Sequence, residues 1–248
     1  MSVKDHYDNH LASFYAWMTG DLTAKQLEFR NFLLSQSIMP GISKIAIDLG
    51  AGHGIQSLAM GEIGFEVKAI DFSRELLNEL AANAGEASIE TIEDDIRNIK
   101  DYQALQAELI VCGGDTLTHL TNKSEVQSLL ADCFEALMPG GKLVLSFRDY
   151  SQALEGGRRF IPVKSDENRI LTCFLEYGPE KVQVTDLLHE RVGDRWEQSV
   201  SSYEKVRLSA NEVASWLNAT GFRLLFYETI NRMPHIIAIK LPQPSPDK

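Results

Sequence analysis

The sequence predicts an α/β fold: a doubly wound, seven-stranded, mostly parallel sheet with an N-terminal helical segment and a small inserted antiparallel sheet. Three observations carry that prediction. Apolar, strand-like runs alternate with helix-like segments from residue 44 to residue 147. The run 108–112 is apolar without alternation, which suits a parallel strand buried on both faces. After Tyr150 the rhythm changes to several strand-like runs with no convincing helix, before a helix and two strands close the chain.

Residues 4–37 read as two amphipathic helices, broken near Gly20-Asp21 and ended near Pro40-Gly41. Strand 44–48 leads into helix 54–63, and strand 66–70 into helix 74–83, which Ser73 is placed to cap. A short strand near 89–93 precedes a loop. Beyond strand 108–112, Ser124-Glu-Val-Gln127 is a capping-box pattern opening a helix to about Met138, and Pro139-Gly140-Gly141 turns into strand 142–147. Runs 170–177 and 182–188 read as strands, with turns at Tyr177-Gly-Pro-Glu180 and Val192-Gly-Asp194. Ser209-Ala-Asn-Glu212 is a second capping box, its helix ends at Gly221, and strands 222–228 and 234–240 follow. The expected organisation is an N-terminal segment 1–40, a core of 41–150 and 208–241, an insert 151–207, and a flexible tail 242–248 marked by Pro242, Pro244 and Pro246.

Composition narrows the partners. The 248 residues carry a formal net charge of −11, from 35 acids against 24 bases, with no block of basic residues. Nucleic-acid binding leans on clustered Lys and Arg, so a nucleic acid is not the expected partner. Cys112, Cys133 and Cys173 are an odd count without a C-x-x-C, which reads as reduced thiols in a cytoplasmic protein and not as a disulfide frame or a metal site. The N-terminus lacks the apolar segment of a signal peptide, and no apolar run approaches membrane-spanning length. The sequence does not decide oligomeric state; a homodimer is compatible with it.

The most informative stretch is Ile45-Ala-Ile-Asp-Leu-Gly-Ala-Gly-His-Gly54, a buried strand that ends in an acid and turns through three glycines into a helix. A dinucleotide fingerprint is G-x-G-x-x-G, but these glycines fall as G-x-G-x-G, two residues after Asp48. A carboxylate beside a pyrophosphate is repelled; beside an ammonium group it pairs. The run resembles the first motif of the Rossmann-like, class I S-adenosylmethionine-dependent methyltransferases, D/E-x-G-x-G-x-G. That resemblance implies S-adenosylmethionine as cofactor, S-adenosylhomocysteine as product, and a cofactor loop of Asp48, Gly50, Ala51, Gly52, Gly54, Ile55 and Gln56.

Further motifs follow in order. Asp71, with Phe72 after it, ends a strand about twenty residues beyond the glycines, where an acid meets ribose hydroxyls; its alternative is to cap the next helix. By resemblance, Asp95 and Ile96 meet the adenine, with Asp94 in the place where glycine is common. Leu109-Ile-Val-Cys-Gly-Gly-Asp-Thr-Leu-Thr-His-Leu120 is similar to the glycine N-methyltransferase group, where G-N-S-x-x-H-L is typical. Gly113 and Gly114 then pass near the reactive end of the cofactor, and Asp115 replaces the asparagine. That change makes a neutral position anionic and counts against a glycine-like substrate. Asp115 and His119 are the catalytic candidates: Asp115 to hold a cation or take a proton, His119 to act as a base or merely to cap a helix.

Ser146-Phe-Arg-Asp-Tyr150 ends the fifth strand where the same group carries H-R-N-Y, so Arg148 and Tyr150 are candidate substrate residues, Arg148 as a carboxylate clamp or as a structural ion pair. The loop Asn231-Arg-Met-Pro-His235 is expected on the same side. By resemblance the N-terminal segment is a lid whose Tyr7, Tyr15 and Trp17 cover the sulfonium, although such a stripe also suits a core. Arg158, Arg159, Glu176 and His189 of the insert are unranked candidates. The implied function is methyl transfer to a small-molecule amine, acid or hydroxyl by in-line displacement. A non-catalytic cofactor sensor, a nucleic-acid methyltransferase and an NAD-dependent oxidoreductase remain as alternatives.

Overall fold

The computed structural model describes His6 and residues 10–242; Tyr7 and the tail 243–248 lie outside the described residues. Two helices, α1 (Ala12–Thr19) and α2 (Leu22–Ser35), meet where Gly20 takes φ 87° and Asp21 caps α2 by accepting the Ala24 N–H. The break expected at Gly20-Asp21 is therefore where it was read.

The βα alternation follows: β1 (Ile45–Leu49), α3 (Ile55–Glu62), β2 (Glu66–Asp71), α4 (Arg74–Asn83), β3 (Ile89–Glu93), β4 (Ala107–Cys112), α5 (Lys123–Ala136) and β5 (Leu137–Ser146). The insert contributes β6 (Phe160–Ser165), β7 (Arg169–Tyr177), β8 (Lys181–Val192) and β9 (Arg195–Val206), and the chain ends with α6 (Ala210–Thr220), β10 (Phe222–Ile230) and β11 (Met233–Lys240). Seven strands form one sheet in the order β10-β11-β5-β4-β1-β2-β3, with β1 to β5 parallel and β11 antiparallel to both neighbours.

The unalternating strands are explained by two helical layers. Leu109 and Val111 of β4 face Leu33, Leu58, Met60 and Leu77 of α2, α3 and α4. Ile110 and Cys112 face Val126, Leu130, Val213 and Leu217 of α5 and α6. Each fully buried leucine contributes roughly 1.5–3 kcal/mol of transfer free energy, so a strand apolar on both sides is anchored twice. β1 pairs with β2 on one side and β4 on the other, so the sheet reverses its winding between β1 and β4. Ligands of open α/β sheets bind beyond the strand ends at such a switch point.

Three local expectations are corrected. The α5 cap is Asn122, which accepts the Glu125 N–H at 2.9 Å while the Glu125 carboxylate takes the Thr121 N–H; Ser124 donates to Asn122. Asparagine caps as well as serine, and the cap lies two residues earlier than Ser124, without a reciprocal capping box. The segment after β3 is not a loop but a 3-10 helix, Ile96–Leu105, capped by Asp95. Pro139-Gly140-Gly141 lies inside β5 as an irregularity, with Gly140 at φ 87° and a register shift against β4.

The insert is an antiparallel sheet ordered β6-β7-β8-β9, with two of its three hairpins at the turns read from the sequence and the third between Ser165 and Arg169. Its inner face does two jobs. Leu171 and Leu188 pack on Leu11 and Phe14 of the N-terminal segment. Leu175, Val182, Val184 and Tyr203 pack around Tyr150, beyond the end of β5. The second sheet thereby becomes a wall beside the switch point. No helix among the described residues is long and apolar enough to cross a membrane.

Candidate cofactor and acceptor site

The glycine loop is built between β1 and α3. Gly52, at φ 53°, donates its N–H to Asp71 Oδ2 at 2.8 Å, and Asp71 Oδ1 accepts the Ser73 N–H at 2.8 Å. Asp71 thus ties the end of β2 to the loop, while Ser73 caps α4 through the Leu76 N–H. Asp48 is buried, and its Oδ2 accepts the Ser57 hydroxyl at 2.6 Å. Its Oδ1 is buried with no hydrogen-bond partner among the described residues. Burial pushes its carboxyl up to about 7, Ser57 opposes the rise and the Asp71 charge adds to it. A buried acceptor without a donor costs free energy that an incoming ammonium group removes, so the residues fit the cation-bearing cofactor that the loop implies.

Tyr15 of α1 folds onto this loop. Its ring stands edge-on to His53 at 5.1 Å, and a Cβ at Gly52 would meet it at 3.7 Å. Thr19 adds a 3.0 Å hydrogen bond to His53 Nε2. Burial, then the charges of Asp71 and Asp115, push the Tyr15 phenol up to about 12, so one tyrosine senses both acids. Trp17 corrects the aromatic stripe: its indole N–H donates to Asp166 at 2.5 Å, and Lys164 and Arg169 flank its ring. It serves the insert and does not cover the loop.

Beyond β3, Asp94 is consumed internally by the Asp95 N–H, Asn98 and Tyr102. These contacts brace the turn after β3. Asp95 receives Arg97 through three guanidinium contacts and the Arg97 N–H, and Arg97 holds its carboxyl below the usual range. Phe72 and Ile96 are half-buried beside these acids.

Past β4 lies the densest polar cluster. The Asp115 carboxylate accepts from Lys205 Nζ, the Tyr150 hydroxyl at 3.1 Å, the Arg148 N–H at 3.0 Å and the Thr118 hydroxyl at 2.9 Å. Arg148 Nε lies 3.6 Å from Asp115 Oδ2, with the Arg148 side chain 58% exposed. Burial opposes the Asp115 charge, but Lys205 and the hydrogen bonds outweigh it and hold the carboxyl below its ordinary value. A carboxylate with four donors and a lowered pKa is a poor proton acceptor. His119 stacks on Tyr203 at 5.6 Å; burial first, then Lys205, lowers its imidazole to about 3, so it is neutral near pH 7 and a weak base.

A family profile described as a methyltransferase domain matches residues 46–141. Glycine/sarcosine N-methyltransferase of Aphanothece halophytica is 25% identical over 159 residues, covering 62% of this chain and 60% of that protein. The chain therefore spans about three fifths of the length of that relative. Glycine N-methyltransferase of Rattus norvegicus is 24% identical over 231 residues, covering 84% of this chain and 77% of that protein. An S-adenosylmethionine-dependent methyltransferase structure from Clostridium acetobutylicum superposes with a TM-score of 0.73 at 15% identity, covering 95% of this chain and 96% of that one. Residues 46–141 thus match a methyltransferase domain, and the fold is shared with a solved S-adenosylmethionine-dependent methyltransferase.

Within this fold the motif residues converge on one end of the sheet, and two of the glycines also meet packing demands. A Cβ on Gly113 would stand 2.7 Å from Gln56 Nε2, so Gly113 makes room for the Gln56 amide. Gly54, at φ 105°, begins α3, and a Cβ there would stand 2.3 Å from Leu80. Both answer to packing. Gly114 has open space where a Cβ would be, and donates its N–H to Ser146 Oγ at 2.9 Å.

Glu176 is exposed, Arg159 lies over Phe174 at 4.8 Å, Arg158 is exposed, and His189 pairs with Gln198 on the outer face. Asp149 caps α6 through the Ala210 N–H. At the rim, His235 pairs in register with Ser146, and Asn231 donates to Glu28 of α2. Cys173 is no nucleophile: its thiol donates to Asp186 at 2.8 Å, and burial first, then Asp186, pushes its pKa up. The residue missed was Lys205. Its signal was the alternation of β9, which turns Ser201, Tyr203 and Lys205 inward together.

Proposed function

We propose that this chain transfers the methyl group of S-adenosylmethionine to the amine of a small, carboxylate-bearing acceptor by direct in-line displacement. The observation that carries this reading is the alignment, along one end of the sheet, of the buried Asp48 Oδ1, without a hydrogen-bond partner among the described residues, and the exposed Arg148 guanidinium, with Tyr15 between loop and acceptor end. The bound cofactor supplies an electrophilic methyl on a sulfonium. Asp48 is proposed to receive its ammonium group, Asp71 its ribose hydroxyls, and Asp95 with the Ile96 N–H its adenine edge. Gly50, Ala51, Gly52, Ile55 and Gln56 shape the loop that holds it, and Tyr15 closes over it. Arg148 and Tyr150 hold the acceptor, Arg148 through its planar fork. The named relatives that act on glycine and sarcosine support an amine next to a carboxylate. Asp115 is engaged and His119 is weakly basic, so alignment and desolvation carry the reaction. The formal charge of −11 and the absence of basic blocks favour a small acceptor over a nucleic acid, and three free cysteines suit a reducing, cytoplasmic setting.

The test is calorimetric titration with S-adenosylhomocysteine, with NAD as control. Saturable binding of the first alone is expected; binding of NAD alone moves the chain to the oxidoreductases, and binding of neither removes the reading.

A second expectation comes from Asp48. Its carboxyl rises from 3.8 to about 7 on folding. Its contribution to stability is therefore intact below about pH 4 and is lost as pH rises toward 7. An ammonium beside it favours the charged form, so binding near pH 6 should release a proton. Calorimetry at pH 6 in two buffers of different ionisation enthalpy should give different binding enthalpies, and Asp48→Asn should erase the difference. Identical enthalpies for the unaltered chain would exclude this pairing.

A further inference from the structure

The charge balance at the acceptor end turns on a residue outside every motif. Asp115 stands where the similar glycine N-methyltransferase segment carries asparagine, and taken alone it makes the site anionic. Lys205 reverses that conclusion. Its side chain is 8% exposed and its ammonium bonds the Asp115 carboxylate, itself 14% exposed. Asp115, Lys205 and Arg148 together carry one net positive charge, and the exposed member is Arg148. The pair also bridges the two sheets, because Lys205 stands on β9 and Asp115 on the loop after β4. Through its other contacts Asp115 fixes the Arg148 N–H and the Tyr150 hydroxyl.

We propose that Lys205 is a positioning and specificity-determining residue: it neutralises Asp115, which then fixes Arg148 and Tyr150, and it leaves the acceptor end net positive so that a carboxylate-bearing acceptor is taken and a cationic one refused. This rests on the methyltransferase reading above. Removing one member of a buried ion pair strands the other charge, whereas removing both does not. The single variant should therefore be worse than the double one.

The experiment compares the full chain with K205M, K205R and D115N/K205M. S-adenosylhomocysteine binding reads the cofactor end. Glycine and sarcosine serve as carboxylate acceptors, and ethanolamine as an amine of similar size without the carboxylate. K205M is expected to raise KM for the amino acids at least tenfold, to change kcat less than threefold, and to leave S-adenosylhomocysteine affinity within twofold. K205R should recover most of the loss, and D115N/K205M should lie nearer the unaltered chain than K205M does. If K205M does not fold, K205Q is read in its place. An unchanged KM despite lowered thermal stability marks a merely structural pair and overturns the proposal, as does a preference for ethanolamine. The failures are separable: an unaltered chain that binds no S-adenosylhomocysteine defeats the methyltransferase reading, whereas one that binds it but methylates neither amino acid leaves cofactor binding standing and defeats the carboxylate acceptor together with the role given to Lys205.

Discussion

Asp71→Ala is expected to weaken S-adenosylhomocysteine binding by roughly two to four orders of magnitude. In the free chain the Asp71 carboxylate holds the Gly52 N–H and the Ser73 N–H, both at 2.8 Å. Under the methyltransferase reading a ribose would bring two hydroxyls to this carboxylate. Hydrogen bonds to a charged acceptor contribute roughly 1.5–3 kcal/mol each, and every 1.4 kcal/mol is tenfold in affinity. The substitution also unties the glycine loop from β2, so loss of shape adds to loss of contact. Asp71→Asn separates these effects. Its amide oxygen still caps the Ser73 N–H, but its NH2 faces the Gly52 N–H without accepting from it. Calorimetry and thermal unfolding on both variants decide the matter. An affinity within threefold of the unaltered chain in Asp71→Ala would remove the ribose role and leave Asp71 as a brace between β2 and the loop.

What the sequence made legible follows from how locally each feature is encoded. The parallel core was readable because strands such as β4 are buried on both faces by helices drawn from neighbouring βα units. Asp48, the glycines and Asp71 were readable because the turn that joins them is short and its backbone needs are specific. Trp17 was misplaced because helical spacing tells which residues share a face, and not whether that face meets the glycine loop or the insert, where Asp166 in fact awaits it. The charge of Asp115 was read without its partner, since Lys205 lies 90 residues further along and no periodicity links them. The internal contacts of Asp94 were hidden for a related reason: Tyr102 and Asn98 reach it only because the segment after β3 winds into a 3-10 helix. Local turn chemistry is written in the sequence, while pairings between a core loop and an inserted sheet are written in tertiary structure alone.

The same distinction sets the second large expectation, which concerns stability. Gly54→Ala should destabilise the fold, because Gly54 sits at φ 105° and a Cβ would stand 2.3 Å from Leu80 Cδ1. Forcing an L-residue toward left-handed backbone costs roughly 1–2 kcal/mol, and overpacking a close-packed core roughly 1–3 kcal/mol more. For a chain of this size each kcal/mol moves Tm by roughly 2–4 °C, so a fall of roughly 4–20 °C is expected. Placing Gly54→Ala in a Leu80→Ala background removes the collision but not the φ strain, so the added loss should shrink and not vanish. Gly52→Ala is the contrasting case. Its φ of 53° is nearer the region that other residues reach, and its Cβ would meet only the Tyr15 ring at 3.7 Å. That variant should keep most of the Tm and lose cofactor affinity instead, because its extra atom points at the closing ring and not at the core. If Gly54→Ala instead unfolds at the unaltered temperature and loses S-adenosylhomocysteine binding, the third glycine belongs to the ligand and the packing assignment falls.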